Sequence, residues 1–157
     1  MRQYDDTLGQ DAALRALFDD YLDANEVVVG VFKPNKKRYY RNYWFLAIPI
    51  FWPHFIMLTV LTLGVFPFVY AAKGYANQCY AYTNKRVIER SGSFGVTYRS
   101  VDYADIVSTE ATTSVLDRST HTGSIAFRTQ HRSVGFQNIV NPYDVLREIR
   151  EYMEQHA

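Results

Sequence analysis

The chain of 157 residues has one cysteine, Cys79. No intrachain disulfide and no multi-cysteine zinc site can form from it. Net charge is nearly absent: 17 Lys and Arg stand against 16 Asp and Glu, leaving +1. A dedicated nucleic-acid binder carries a strong basic excess, so nucleic acid is not an expected partner. The start is polar and acidic, without the basic and apolar stretches of a signal peptide. Solenoid-length repeats and low-complexity segments are missing as well. A chain this short has room for one small domain and an extension, but not for two independent cores.

The near-zero charge conceals an asymmetry. Residues 1–32 hold seven acids and two bases; residues 33–41 hold five bases, Lys33, Lys36, Lys37, Arg38 and Arg41, and no acid. From Asn42 to Ala72 there is no Lys, Arg, Asp or Glu over 31 residues. A helix needs roughly 20 apolar residues to cross a bilayer. As one straight helix the run would reach roughly 46 Å, long for one crossing and short for two.

Basic residues on both flanks, with Lys73, Lys85 and Arg86 on the far side, favour a hairpin that returns to the side it left, because positive flanks stay in the cytoplasm. The expectation is a transmembrane or re-entrant hairpin over residues 42–73, turning at Trp52-Pro53-His54. Helix one would run from about Tyr39 to Trp52 and helix two from about Phe55 to Lys73. Tyr39, Tyr40, Tyr43 and Trp44 would lie at the near interface, Trp52 and His54 at the far one. A turn at Leu63-Gly64, a single crossing kinked at Pro53, and a hairpin buried in a protein core are the alternatives.

The rest reads as a small α+β domain. Leu14, Leu17, Phe18, Tyr21 and Leu22 give one apolar face to a helix over 11–23 whose other face is acidic. Glu26–Phe32 is Val-rich and reads as a strand. Short strands then follow at 78–83, 86–90, 96–101, 106–111, 113–116, 124–129 and 133–136, separated by turn residues, as in a small barrel or sandwich. Asn141 caps a closing helix with Pro142 at its first position, and Val145, Leu146, Ile149, Tyr152 and Met153 form its apolar face.

Within these strands, Tyr80-Ala81-Tyr82-Thr83-Asn84-Lys85-Arg86-Val87-Ile88 followed by Ser91-Gly92 resembles the opening of membrane-anchored bacterial pleckstrin-homology-like domains. Val101–Ile106, Thr122–Phe127 and Asn141–Val145 resemble later segments of that family, in the same order. The resemblance covers roughly residues 24–153. It implies a partly open PH-like β-barrel or sandwich capped by a C-terminal helix, held at the cytoplasmic face of a prokaryotic inner membrane. Tyr82 replaces a common Leu, and the acidic N-terminal helix is not carried over from the family.

A search for chemistry returns little. His121 and His131 flank one strand and would need Asp117 or Glu110 to hold a metal, without the short ligand spacing of a zinc site. Ser91–Gly95 is glycine-rich but lacks the lysine and helix of a phosphate loop. Cys79 reads as a small core residue.

The expected organisation is an acidic helical extension (1–25), a strand and basic linker (26–41), the apolar hairpin (42–73) and the PH-like domain (74–157). The expected function is a non-enzymatic, membrane-anchored interaction or scaffold module that binds a protein partner or a second copy and requires no cofactor or metal. One alternative is an anionic-lipid headgroup sensor using Lys33, Lys36, Lys37, Arg38, Arg41, Lys85 and Arg86, with membrane lipids as partner. Another is a membrane-surface enzyme or transporter subunit built around His121, His131 and Asp117.

Overall fold

The computed structural model describes residues 7–46, 57, 60, 61, 65–113 and 120–155. Among these, β1 (Val28–Phe32), β2 (Cys79–Thr83), β3 (Arg86–Ser91) and β4 (Thr97–Asp102) form one antiparallel sheet in that order. A second antiparallel sheet contains β5 (Ser108–Thr112), β6 (Thr122–Arg128) and β7 (Ser133–Val140). The helices are α1 (Thr7–Ala16), α2 (Lys36–Leu46), α3 (Val65–Asn77) and α4 (Pro142–Gln155).

The period of two along each strand divides the first sheet between two cores. Tyr80, Tyr82, Val87 and Val101 point inward, against Ile125, Phe127, Val134, Phe136 and Ile139 of the second sheet and Leu146 and Ile149 of α4. Tyr80 stacks on Phe136 at 4.8 Å, and Phe127 meets the same ring edge-on at 5.1 Å. Truncating Phe136 to Ala would cost about 3–5 kcal/mol, because the ring is fully enclosed and its neighbours cannot collapse into the gap. The alternate residues Cys79, Ala81 and Ile88 face the other way and are equally buried, beneath Phe18. All five residues of β2 are therefore buried.

The cover over that outer face is the N-terminal extension. The helix expected over 11–23 ends at Ala16 and gives way to a 3-10 turn at Asp19–Tyr21. The break lets Phe18 point into the sheet while Tyr21 stacks on Tyr98 at 4.6 Å. The last strand runs to Val140 instead of Phe136, and β6 starts at Thr122 within the expected loop, after His121 in a left-handed conformation (φ 48°). The strand expected at 113–116 falls almost wholly outside the described residues.

The α+β domain is present, but the expected membrane hairpin over 42–73 is corrected. Among the described residues no helix is long and apolar enough to cross a membrane. α2 has 11 residues and begins inside the basic linker, while α3 has 13, rising about 20 Å against a hydrocarbon core of about 30 Å. α3 also carries Lys73, extends past the expected end of the hairpin to Asn77, and buries Ala71 and Gly74. An absence of charge limits what a segment can expose. It does not determine how much of the segment one helix takes up. The location at a prokaryotic inner membrane, implied by the resemblance together with the hairpin, is corrected as well, since among the described residues no helix can span a bilayer. Trp52 and His54, with the candidate turns, lie outside the described residues.

Candidate interaction surface

The basic linker leaves the end of β1 and turns directly into α2. Pro34 is buried, and Asn35 caps the helix: its Oδ1 accepts the Arg38 N–H at 3.1 Å and its carbonyl accepts the Tyr39 N–H at 2.9 Å. The Asn35 N–H donates to the Asn138 carbonyl at 2.7 Å, so the start of α2 is tied to β7. Lys36, Lys37 and Arg41 are exposed, Arg38 and Tyr40 half-buried, and Tyr39 buried. The first turn of α2 carries bases and no acid. Cations at the positive end of a helix dipole are unfavourable, so these charges are not there to stabilise the helix.

α3 packs against α2 through Tyr75, whose ring centroid lies 5.3 Å from Tyr39 and 5.8 Å from Tyr40. The Lys33 ammonium lies 5.1 Å over the Tyr75 ring. Burial raises the Tyr75 hydroxyl above its ordinary pKa, with smaller contributions from Tyr40 and Cys79. On the outward side of α3, Val65, Phe68 and Val69 are exposed, Phe68 by 63%. Met57, Val60 and Leu61, also helical, are exposed as well.

The β3–β4 turn extends this surface. Phe94 packs beside Phe66 (6.3 Å) and Tyr70 (5.5 Å) of α3, with the Lys73 ammonium 5.5 Å from its ring, yet stays 66% exposed. Two bonds hold the turn to the helix end: Asn77 Nδ2 donates to the Gly92 carbonyl at 2.9 Å, and Arg90 Nη1 donates to the Asn77 carbonyl at 2.9 Å. Gly92 takes a φ of 130°, and a Cβ there would run into the Gly95 carbonyl, so the turn requires glycine. Between Val27 and Ile88 the sequence has eight Lys or Arg and no acid. The exposed apolar residues of α3 and the basic residues of α2 thus come from one acid-free stretch, with Phe94 lying beyond it.

The seven basic residues singled out from sequence do not form one patch. Lys33, Lys36, Lys37, Arg38 and Arg41 follow the C-terminal end of β1, whereas Lys85 and Arg86 lie at the β2–β3 turn, paired with its N-terminal end. Five residues of strand separate the two groups, roughly 16 Å. Lys85 is exposed. Arg86 is held by Glu26: Nε donates to Oε1 at 2.9 Å and Nη2 to Oε2 at 2.7 Å, with Asp23 at 3.5 Å and the Tyr21 ring 5.0 Å away. Thr83 Oγ1 and the Asp23 N–H also donate to Glu26. Burial alone would push the Glu26 carboxyl up; Arg86 foremost, then Asp23 and Thr83, outweigh it and hold the group below its ordinary value.

Sequence reasoning missed Glu26 and Phe94. Glu26 and Arg86 are 60 positions apart, and Phe94 read as an ordinary turn residue. Of the residues proposed for interfaces, Tyr43 and Trp44 lie in α2. His121 and His131 are exposed, Glu110 pairs with Arg128 at 2.8 Å, and Asp117 lies outside the described residues. No group of three metal-ligating side chains is found among the described residues. Cys79 is fully buried, and burial pushes its thiol up to about 11.

Comparison with known proteins is consistent with this architecture. A family model described as "Bacterial PH domain" matches residues 28–156. No curated protein matches the chain. Among solved structures, a DUF1696-family protein with a pleckstrin-homology domain from Shewanella loihica PV-4 is similar at a TM-score of 0.50 and 12% identity, over 90% of this chain and 95% of that one. A pleckstrin homology domain from Shewanella amazonensis SB2B aligns at a TM-score of 0.48 and 14% identity, over 90% and 96%.

Proposed function

We propose a function from one premise: the chain belongs to the bacterial PH domain family. That family is generally non-catalytic, and its fold is an interaction module. In our reading the chain is such a module, and it docks a protein partner through the α2–α3 face and the Phe94 turn. The observation that carries this is the exposure of Val65, Phe68 and Val69 on α3 together with that of Phe94, which packs beside Phe66 and Tyr70 of the same helix. A contiguous apolar patch rimmed by charge is a feature of contact surfaces. Lys73 lies beside Phe94, and Lys36, Lys37 and Arg41 are exposed on the neighbouring α2 within a stretch of sequence that has no acid, so the fitting partner offers an apolar face with acidic surroundings.

A second reading has its own support: the bases gathered on the first turns of α2 would attract anionic lipid headgroups at about 1 kcal/mol each near a lipid surface. Site-specific photo-crosslinking in cells tests the first reading, with the crosslinker at Phe68, at Phe94, or at the exposed Tyr143 of α4. Protein adducts at 68 and 94 but not at 143 are expected. Equal adducts at all three positions would refute the site. Lipid adducts at 68, with binding of the purified chain to anionic but not zwitterionic vesicles, would establish the second reading instead.

A further inference from the structure

The N-terminal extension covers a face that the domain does not need for its own core. The inner cluster around Tyr80, Phe127, Phe136 and Ile149 shares no buried residue with the outer cluster of Phe18, Val28, Cys79, Ala81 and Ile88. Residues 7–22 precede the family match, which begins at residue 28. They are joined to β1 by a short turn in which Asn25 takes a φ of 73°. Among the described residues β1 pairs only with β2, so residues 7–22 add no strand to the sheet. As far as Leu22 its attachment is the apolar cluster around Phe18 and a few side-chain bonds, Arg86 Nη2 donating to the Tyr21 carbonyl at 3.3 Å among them, while the buried Glu26–Arg86 pair fixes its base to the sheet. Arg15 donates to the Val28 and Val29 carbonyls at 2.9 and 3.0 Å, where β1 bulges, and Tyr98 donates to the Leu17 carbonyl at 2.9 Å. The Tyr21 and Ser100 hydroxyls lie 3.1 Å apart. Leu17, Phe18, Tyr21 and Leu22 lie beyond the end of α1, so the segment docks as a short helix followed by a turn.

We propose that residues 7–22 are a releasable strap hinged on the Glu26–Arg86 pair, and that the outer face of the β1–β4 sheet is a receptor for this segment that can be filled by its own strap or by the strap of a second copy of the chain. The surface is distinct from the α2–α3 face and does not depend on that reading. The occupant is identified by what the face already holds: Phe18 is fully enclosed over Ala81 and Ile88, with Leu14, Leu17, Tyr21 and Leu22 around it. Cys79, the chain's single cysteine, lies in the same cluster and is shielded while the strap is seated.

The test uses the full chain and a small thiol reagent. In the Phe18→Ala variant, Cys79 is expected to react at least about tenfold faster than in the wild type, through local opening that leaves the melting transition cooperative. A synthetic peptide of residues 7–22 should restore protection saturably, and a peptide carrying Phe18→Asp should not. Wild-type full chain should protect the variant in the same way, the two chains being told apart by mass. If Phe18→Ala fails to fold, Leu17→Ala serves in its place. Labelling only at the rate of global unfolding, or no protection by the peptide, would overturn the receptor. Protection by the peptide but never by the full chain would overturn the exchange between copies.

Discussion

The guanidinium of Arg86 lies edge to edge against the carboxylate of Glu26, with Nε to Oε1 at 2.9 Å and Nη2 to Oε2 at 2.7 Å. The Glu26 side chain is entirely buried and Arg86 is 15% exposed, so each needs the other. Arg86→Met strands a buried carboxylate and is expected to lower stability by about 3–5 kcal/mol. Glu26→Leu combined with Arg86→Met removes both charges and should cost clearly less than the two single changes together. A urea-unfolding double-mutant cycle measures the coupling, and strict additivity would refute it.

The same pair sets an acid limb. The carboxyl of Glu26 titrates lower in the folded chain than in the unfolded one. Its contribution is therefore full above the unfolded value of about 4.3 and is lost as pH falls through the folded value. Glu89 has the opposite sign. Burial raises its carboxyl, and Arg99 and the Gly135 N–H offset this only in part. Its contribution is full below the unfolded value and lost as pH rises through the folded one. Glu89→Gln is thus expected to raise stability at pH 7 relative to pH 4, and Glu26→Gln to lower it. Unfolding free energies of both variants across pH 3–8 decide the signs.

Gly30 lies opposite Tyr82 in the β1–β2 register, and a Cβ at position 30 would fall inside the Tyr82 ring. The ring cannot swing away. It stacks against Phe32 at 5.9 Å, and its hydroxyl donates to Glu148 of α4 at 2.7 Å. Gly30→Ala should cost about 1–3 kcal/mol by overpacking, visible as a lower melting temperature. An unchanged melting temperature would show that the ring has room.

Asn35 caps α2 and ties it to β7 through its backbone. Asn35→Ala removes only the side-chain bond, at about 1 kcal/mol. Hydrogen exchange should speed up for the Arg38 amide and its neighbours in α2 while β6 and β7 keep their protection. Uniform acceleration throughout would mean that α2 is not a separately opening unit.

How much was legible follows from the range of the forces involved. The strands of the first sheet, the closing helix and the resemblance to the PH family depended on alternation, turn residues and capping within a few positions, and these were readable in order. The uncharged run was read correctly as composition and wrongly as a spanning hairpin. Hydropathy averages over a window and does not register where helices begin and end, or that Ala71 and Gly74 are spent on packing. The basic cluster was visible as five charges in a row, but Arg86 was grouped with it although Glu26 already holds it.

By itself the sequence determined the α+β class, the small β-rich domain and the acid-free stretch that carries the basic rim, because each is written in neighbouring residues. Only the tertiary structure decided that the acidic extension is packed against the sheet by Phe18, that Glu26 and Arg86 are partners, and that Phe94 packs beside Phe66 and Tyr70 of α3. Those relationships join residues tens of positions apart, and no local pattern records which distant side chain will fill a given space.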